Sequence, residues 1–140
     1  MTQITVADLD NAKLDVDTIA AIANSTDDSV VDRLGATRLT IYKITNNGIN
    51  QQLLGWAYAE AFAVTTATRD ANNVITSAII VWPDGATGAF TTDTINATFN
   101  AIDAWHATHI LDGVTKTVTQ TAVTRNAEGA VTAQPVITII

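Results

Sequence analysis

A segment that occurs twice constrains this chain more than any other feature. Thr68-Arg69-Asp70-Ala71-Asn72-Asn73-Val74-Ile75-Thr76 returns further along as Thr124-Arg125-Asn126-Ala127-Glu128-Gly129-Ala130-Val131-Thr132. Each copy sets a polar turn, Asn72-Asn73 or Glu128-Gly129, between arms rich in Thr and Val, which is how a β-hairpin reads in sequence. Between the copies stands a turn of a second kind, Trp82-Pro83-Asp84-Gly85. A chain that spends its polar residues this way is expected to build and present surfaces.

The 140 residues suit one domain, or a small domain with an appended segment. Hydrophobic residues reach 47% but aromatics only 6%, and there are 24 threonines, a mix that favours β-structure over a helical bundle. Net charge is −7, and residues 1–35 hold seven of the aspartates against Lys13 and Arg33. An acidic chain without a basic patch is poorly made for nucleic acid or for anionic lipid. With no cysteine, disulfide and thiolate chemistry are excluded. No apolar run approaches the roughly 18 residues of a membrane span, and the start lacks a secretory pattern. A soluble protein made in a cytoplasm is the expectation.

Asp15 to Asn24 reads as a helix, with Val16, Ile19, Ala20 and Ala23 at helical spacing. Such a helix is short and Ala-rich, so it must pack on its own body or on copies of itself. Ser29–Arg38 reads as a short extended hairpin bending at Gly35. Thr40 caps a second helix through Tyr42 and Ile44 that Asn46-Asn47-Gly48 should fray or end, and Ile49–Phe62 suits either helix or strand. From Ala63 onward the pattern is β, with arms near 64–69, 74–82, 88–92, 104–111, 114–124 and 130–140. Asp112-Gly113 marks a tight turn. Thr115, Thr117, Thr119 and Thr121 line one face of their arm. The apolar end, Val136 to Ile140, needs a partner strand or partner subunit. The expected fold is mainly β with a short helical N-terminal arm, an antiparallel β-sandwich or barrel-like domain. Residues 1–58 form the N-terminal helical segment and 59–140 the β-rich domain with two related hairpins.

Few side chains suggest chemistry. His106 and His109, the only histidines, point to opposite faces of a strand, with no cysteine and no obvious third metal ligand. A threefold assembly is the one arrangement that could converge a histidine from each chain. Counted as a calcium loop from Asp8, the run has Ala12 at the fifth position, Lys13 at the sixth and Ile19 at the twelfth, and so fails. Asp84, Asp93, Asp103 and Glu128 define no carboxylate pair, and Ser25, Ser29 and Ser77 sit in no nucleophile elbow. Catalysis, cofactor and metal are therefore not expected. Trp56, Trp82 and Trp105 read as core or interface residues; exposed, Trp82 and Trp105 could stack on a sugar.

Several pieces, taken in order, resemble bacteriophage and prophage tail fibre or tailspike proteins. Leu14-Asp15-Val16-Asp17-Thr18-Ile19-Ala20, Ala23-Asn24-Ser25-Thr26 and Asp32-Arg33-Leu34-Gly35-Ala36-Thr37-Arg38 look like a virion-proximal leader. Thr68-Arg69-Asp70, Trp82-Pro83-Asp84-Gly85, Gly88-Ala89-Phe90-Thr91, Asp103-Ala104-Trp105, Thr108-His109 and Val123-Thr124-Arg125 are similar to a fibre module. The resemblance implies a homotrimeric structural component of the virion that meets other tail, baseplate or fibre proteins and supports host attachment. It implies that Asp32, Arg33, Leu34 and Gly35 belong to the anchoring region. Thr121 and Leu39 stand where such proteins often carry proline. The end at Ile140 leads to the expectation of a short fibre, an adaptor or the anchor half of a split system. The alternatives are a carbohydrate-binding module for host glycan, using Trp82 or Trp105, and a capsid decoration or head-fibre protein.

Overall fold

The computed structural model describes residues 3–140 and divides into two compact units, Met1–Gln51 and Gln52–Ile140. The first opens with α1 (Val6–Asn24), nine residues longer at its start than the apolar spacing predicts. The cause is a capping box. Thr5 Oγ1 accepts from the Asp8 N–H at 3.2 Å while Asp8 Oδ2 accepts from the Thr5 N–H at 2.8 Å, so free amides at the helix start are satisfied reciprocally.

A hairpin of β1 (Ser29–Val31) and β2 (Thr37–Leu39) follows, as expected. α1 lays Leu14, Thr18 and Ala21 beside Val30 and Val31 of the hairpin, and Arg33 Nε reaches Asp15 Oδ1 at 2.7 Å. Three more pairs, Lys13–Asp17, Arg38–Asp32 and Lys43–Asp28, offset part of the acidic excess.

Thr40 is fully buried and caps α2 (Ile41–Tyr58), accepting from the Lys43 N–H at 3.2 Å. Contrary to expectation, the helix runs straight through Asn46-Asn47-Gly48. Those residues cost about 0.7–1 kcal/mol each in propensity, but the turns beyond them bury Leu53 and Ala57, and that packing wins. The same packing explains why the division between units falls inside α2. Helical structure in this part of the chain is thus more than a short arm.

The second unit is a six-stranded antiparallel sheet in the order β10-β7-β6-β5-β4-β3. Its strands are β3 (Ala63–Arg69), β4 (Ile75–Val81), β5 (Thr87–Asn96), β6 (Ala101–Leu111), β7 (Val114–Gln120) and β10 (Thr138–Ile139). β8 (Thr124–Arg125) and β9 (Val131–Ala133) form a separate small hairpin. The linear order makes the sheet open, which corrects the barrel expectation. The sandwich expectation is corrected too, because Leu53 and Ala57 of α2 occupy the place a second sheet would take. Ala78, Ile80, Phe90, Trp105, Ala107 and Val118 alternate onto the covered face, with Ile137 closing it. The apolar C-terminus finds its partner within the chain: Ile139 pairs with Val118, and Ile140 exchanges backbone hydrogen bonds with Thr117 at 2.7 and 3.0 Å.

The opposite face is hydroxyl-rich. One row crosses all six strands through Thr68, Ser77, Thr91, His106, Thr119 and Thr138, each opposite the next in register. Thr115, Thr117 and Thr119 share this face, whereas Thr121 lies beyond the strand end. On the covered side Gly88 is forced: a Cβ there would overlap the Thr108 carbonyl oxygen and press on the Trp82 indole nitrogen. Gly88→Ala is therefore expected to cost about 2–3 kcal/mol, read as a lowered urea midpoint with unchanged slope.

Candidate functional site

The candidate residues lie in two places, the hairpin carrying Asp32-Arg33-Leu34-Gly35 and the aromatic centre around Trp82 and Trp105. The hairpin is built by turn chemistry. Asp32 Oδ1 accepts from the Leu34 and Ala36 N–H groups, both at 2.9 Å, while the Asp32 N–H donates to the Ala36 carbonyl and the Gly35 N–H to the Asp32 carbonyl. Gly35 supplies a φ of +80°, which costs glycine nothing. Chiefly the Ala36 amide, against some burial and aided by Arg38, holds the Asp32 carboxyl below its ordinary range. Leu34 stands at the tip, exposed. The structure thus brings these four residues together on one turn.

The same turn recurs three times in the β-unit. At Asp70–Val74, Trp82–Ala86 and Asn126–Ala130 the first N–H donates to the fifth carbonyl and the fourth N–H to the first carbonyl. The fourth residue has positive φ each time: Asn73 at 66°, Gly85 at 85° and Gly129 at 87°. Arg69 reaches the Asn73 carbonyl at 2.7 Å and Arg125 the Gly129 carbonyl at 2.8 Å, so the repeated Thr-Arg is a brace across its own turn. Arg125 also reaches Asp103 Oδ1 at 2.6 Å and the Ile102 carbonyl at 3.1 Å, tying the small hairpin to β6.

Trp82 lies in the core, 1% exposed, its indole N–H donating to the Thr108 carbonyl at 2.8 Å. The ring meets Phe62 edge-on at 5.3 Å and His109 at 5.8 Å. No ring face is left for a sugar, which removes Trp82 as a stacking platform in this fold. Trp105 is 4% exposed and packs on Phe90 and Phe62, but it borders a cleft of about 310 Å³ with Glu60 and Gln120 on its wall.

The histidines do point to opposite faces. His109 is buried, with Nε2 at 2.8 Å from Asp84 Oδ2; His106 stands on the hydroxyl face, with Nδ1 at 2.8 Å from Asp93 Oδ1. Burial opposes ionisation of Asp84, but the Ala86 amide and the His109 ring outweigh it and hold the carboxyl below its ordinary range. The ionised carboxylate is acceptor-only, so Nε2 of His109 carries the shared proton. Among the described residues no three or more His, Asp or Glu gather as a metal site, and no helix is long and apolar enough to cross a membrane. Asp84, Asp93, Asp103 and Glu128 fall to separate structural tasks: Asp84 with His109, Asp93 with His106, Asp103 with Arg125, and Glu128 within a turn.

No family model, curated protein or solved structure matches the chain. Sequence reasoning did not find the Arg125–Asp103 tie, whose only local signal is the Thr-Arg preceding each repeated turn.

Asp84 and Asp103, the latter held down first by Arg125 and then by Asn96 against burial, set an acid limit. Both carboxyls have folded values below their unfolded ones. Their contribution is complete above the unfolded value, about pH 4, and is lost as pH falls through the folded values. The melting temperature should hold from pH 7 to about 5 and drop below about 4. Asp103→Asn should cost roughly 1.5–3 kcal/mol at pH 7 and make the acid drop shallower, as followed by circular dichroism.

Proposed function

We propose that this chain is a structural component of a phage tail, fibre-like or spike-like, which works as a homotrimer by assembly. The observation that carries the reading is α1: a helix of 19 residues, none of them buried. Evolving and capping such a helix makes physical sense when its apolar side chains meet other chains. The tail assignment rests on the order of leader and fibre-module pieces along the sequence. In this reading the Asp32–Gly35 turn presents Leu34 at its tip to the particle, with Asp32 and Gly35 fixing its shape.

The partners are further copies of the chain and other tail, baseplate or fibre proteins. Location on the particle separates this from a capsid decoration or head-fibre protein. Light scattering on the purified full chain should give three times 14.8 kDa, and particles lacking the chain should lose a fibre or a docked protein. A monomer in solution, or complete and infectious particles without the chain, would contradict the proposal.

A carbohydrate-binding module is the second reading, and what favours it is the cleft beside Trp105. Glu60 is the exposed polar group on that wall, so Glu60→Ala leaves the core untouched. On this reading the native chain binds on a glycan array and the variant loses binding at least tenfold; a native chain that binds no glycan removes it.

A further inference from the structure

α1 has two apolar faces, and only one is used. Leu14, Thr18 and Ala21 lie beside the β1–β2 hairpin. On the far side Leu9, Ala12, Val16, Ile19 and Ala23 follow one another at alternating steps of three and four, the spacing of a coiled-coil seam. All five are exposed; Leu9 is 61%, Val16 62% and Ile19 65% open to solvent. No charged residue interrupts the stripe.

We propose that this seam is where copies of the chain meet, as a parallel three-helix coil of α1 segments. The inference rests on the homotrimer reading above and names its interface. Two features select a second copy as the occupant. The first is charge. With Leu9 and Val16 at the first seam position, Asp8 and Asp15 flank one edge of the stripe and Lys13 the other. A parallel neighbour sets Asp8 beside Lys13 of the next copy, whereas an antiparallel neighbour sets the aspartates of one edge against each other. The Lys13–Asp17 pair on the helix itself is largely exposed to solvent and offers little resistance to that exchange. The second feature is side-chain shape. β-branched Val16 and Ile19 stand at adjacent first and second positions, and β-branched residues at both positions shift preference from two strands toward three or four.

The helix is about two and a half repeats long, so each seam residue matters, and none of them is buried within its own chain. Val16→Asp combined with Ile19→Asp should convert the trimer to a 14.8 kDa monomer in sedimentation equilibrium, with the tryptophan near-ultraviolet spectrum of the β-unit retained. A double variant that stays trimeric overturns the seam while leaving the homotrimer reading in place. A native chain that is already monomeric overturns both.

Orientation has its own test, because the chain has no cysteine. Leu9→Cys should form disulfide-linked pairs on mild oxidation, since parallel helices bring position 9 of each copy together. Asp10→Cys, on the far side of the helix, should not. Equal linking of the two variants, or none in either, overturns the parallel seam.

Discussion

The indole of Trp82 can leave water only if its N–H finds an acceptor, and the Thr108 carbonyl supplies one at 2.8 Å across a residue too small to obstruct it. Gly88 has to be glycine for β4, β5 and β6 to approach in this way. Around the indole close Phe62, His109 and, through His109, the Asp84 carboxylate that caps the turn leading out of Trp82. The core of the β-unit and one of its turns are therefore a single interaction, in which hydrogen bonding of the turn positions the ring and burial of the ring protects the hydrogen bonds.

Turn chemistry then accounts for most of what looks like motif. Asp32, Asp70 and Asn126 each fold a side-chain oxygen onto amides two and four residues ahead, and Asp84 onto the amide two ahead. A fourth residue with positive φ completes each turn. Such short loops set the register of the strands they join, and register decides which side chains enter the core. The polar residues that stand out in the sequence thus shape the backbone, and among the described residues they converge on no common centre.

This explains how much of the fold could be read from sequence. The strands from Ala63 to Gln120, the hairpin at Asp32 and the Asp112-Gly113 turn were legible because their determinants are local: alternation, a capping oxygen, a residue at positive φ. The single arm expected over 130–140 is instead β9 and β10, which join different sheets. The path of α2 was not, since Asn46-Asn47-Gly48 argues for an end and only the distant burial of Leu53 and Ala57 overrules it. The open sheet was not legible either, because nothing local says that a helix will cover it. The start of α1 was available in Thr5-Val6-Ala7-Asp8, a capping box that the apolar spacing alone passes over. Trp82 and Trp105 read as core residues as well as platforms, and burial decides for the core at Trp82.

The two units differ in what they leave to be done. The β-unit buries a continuous apolar core and pairs its own C-terminal strand, whereas α1 buries none of its residues and leaves Leu9, Val16 and Ile19 largely in water, where each forgoes roughly 1–2 kcal/mol of burial. A helix of this length without cover is marginal, so its stability should depend on how many copies are present. Amide hydrogen exchange of the full chain, resolved by segment and measured across protein concentration, reads this directly. Protection of α1 that rises with concentration, while that of β4 to β7 stays constant, is the predicted result. Protection of α1 that is the same at every concentration would contradict the claim that this chain completes its fold by assembling.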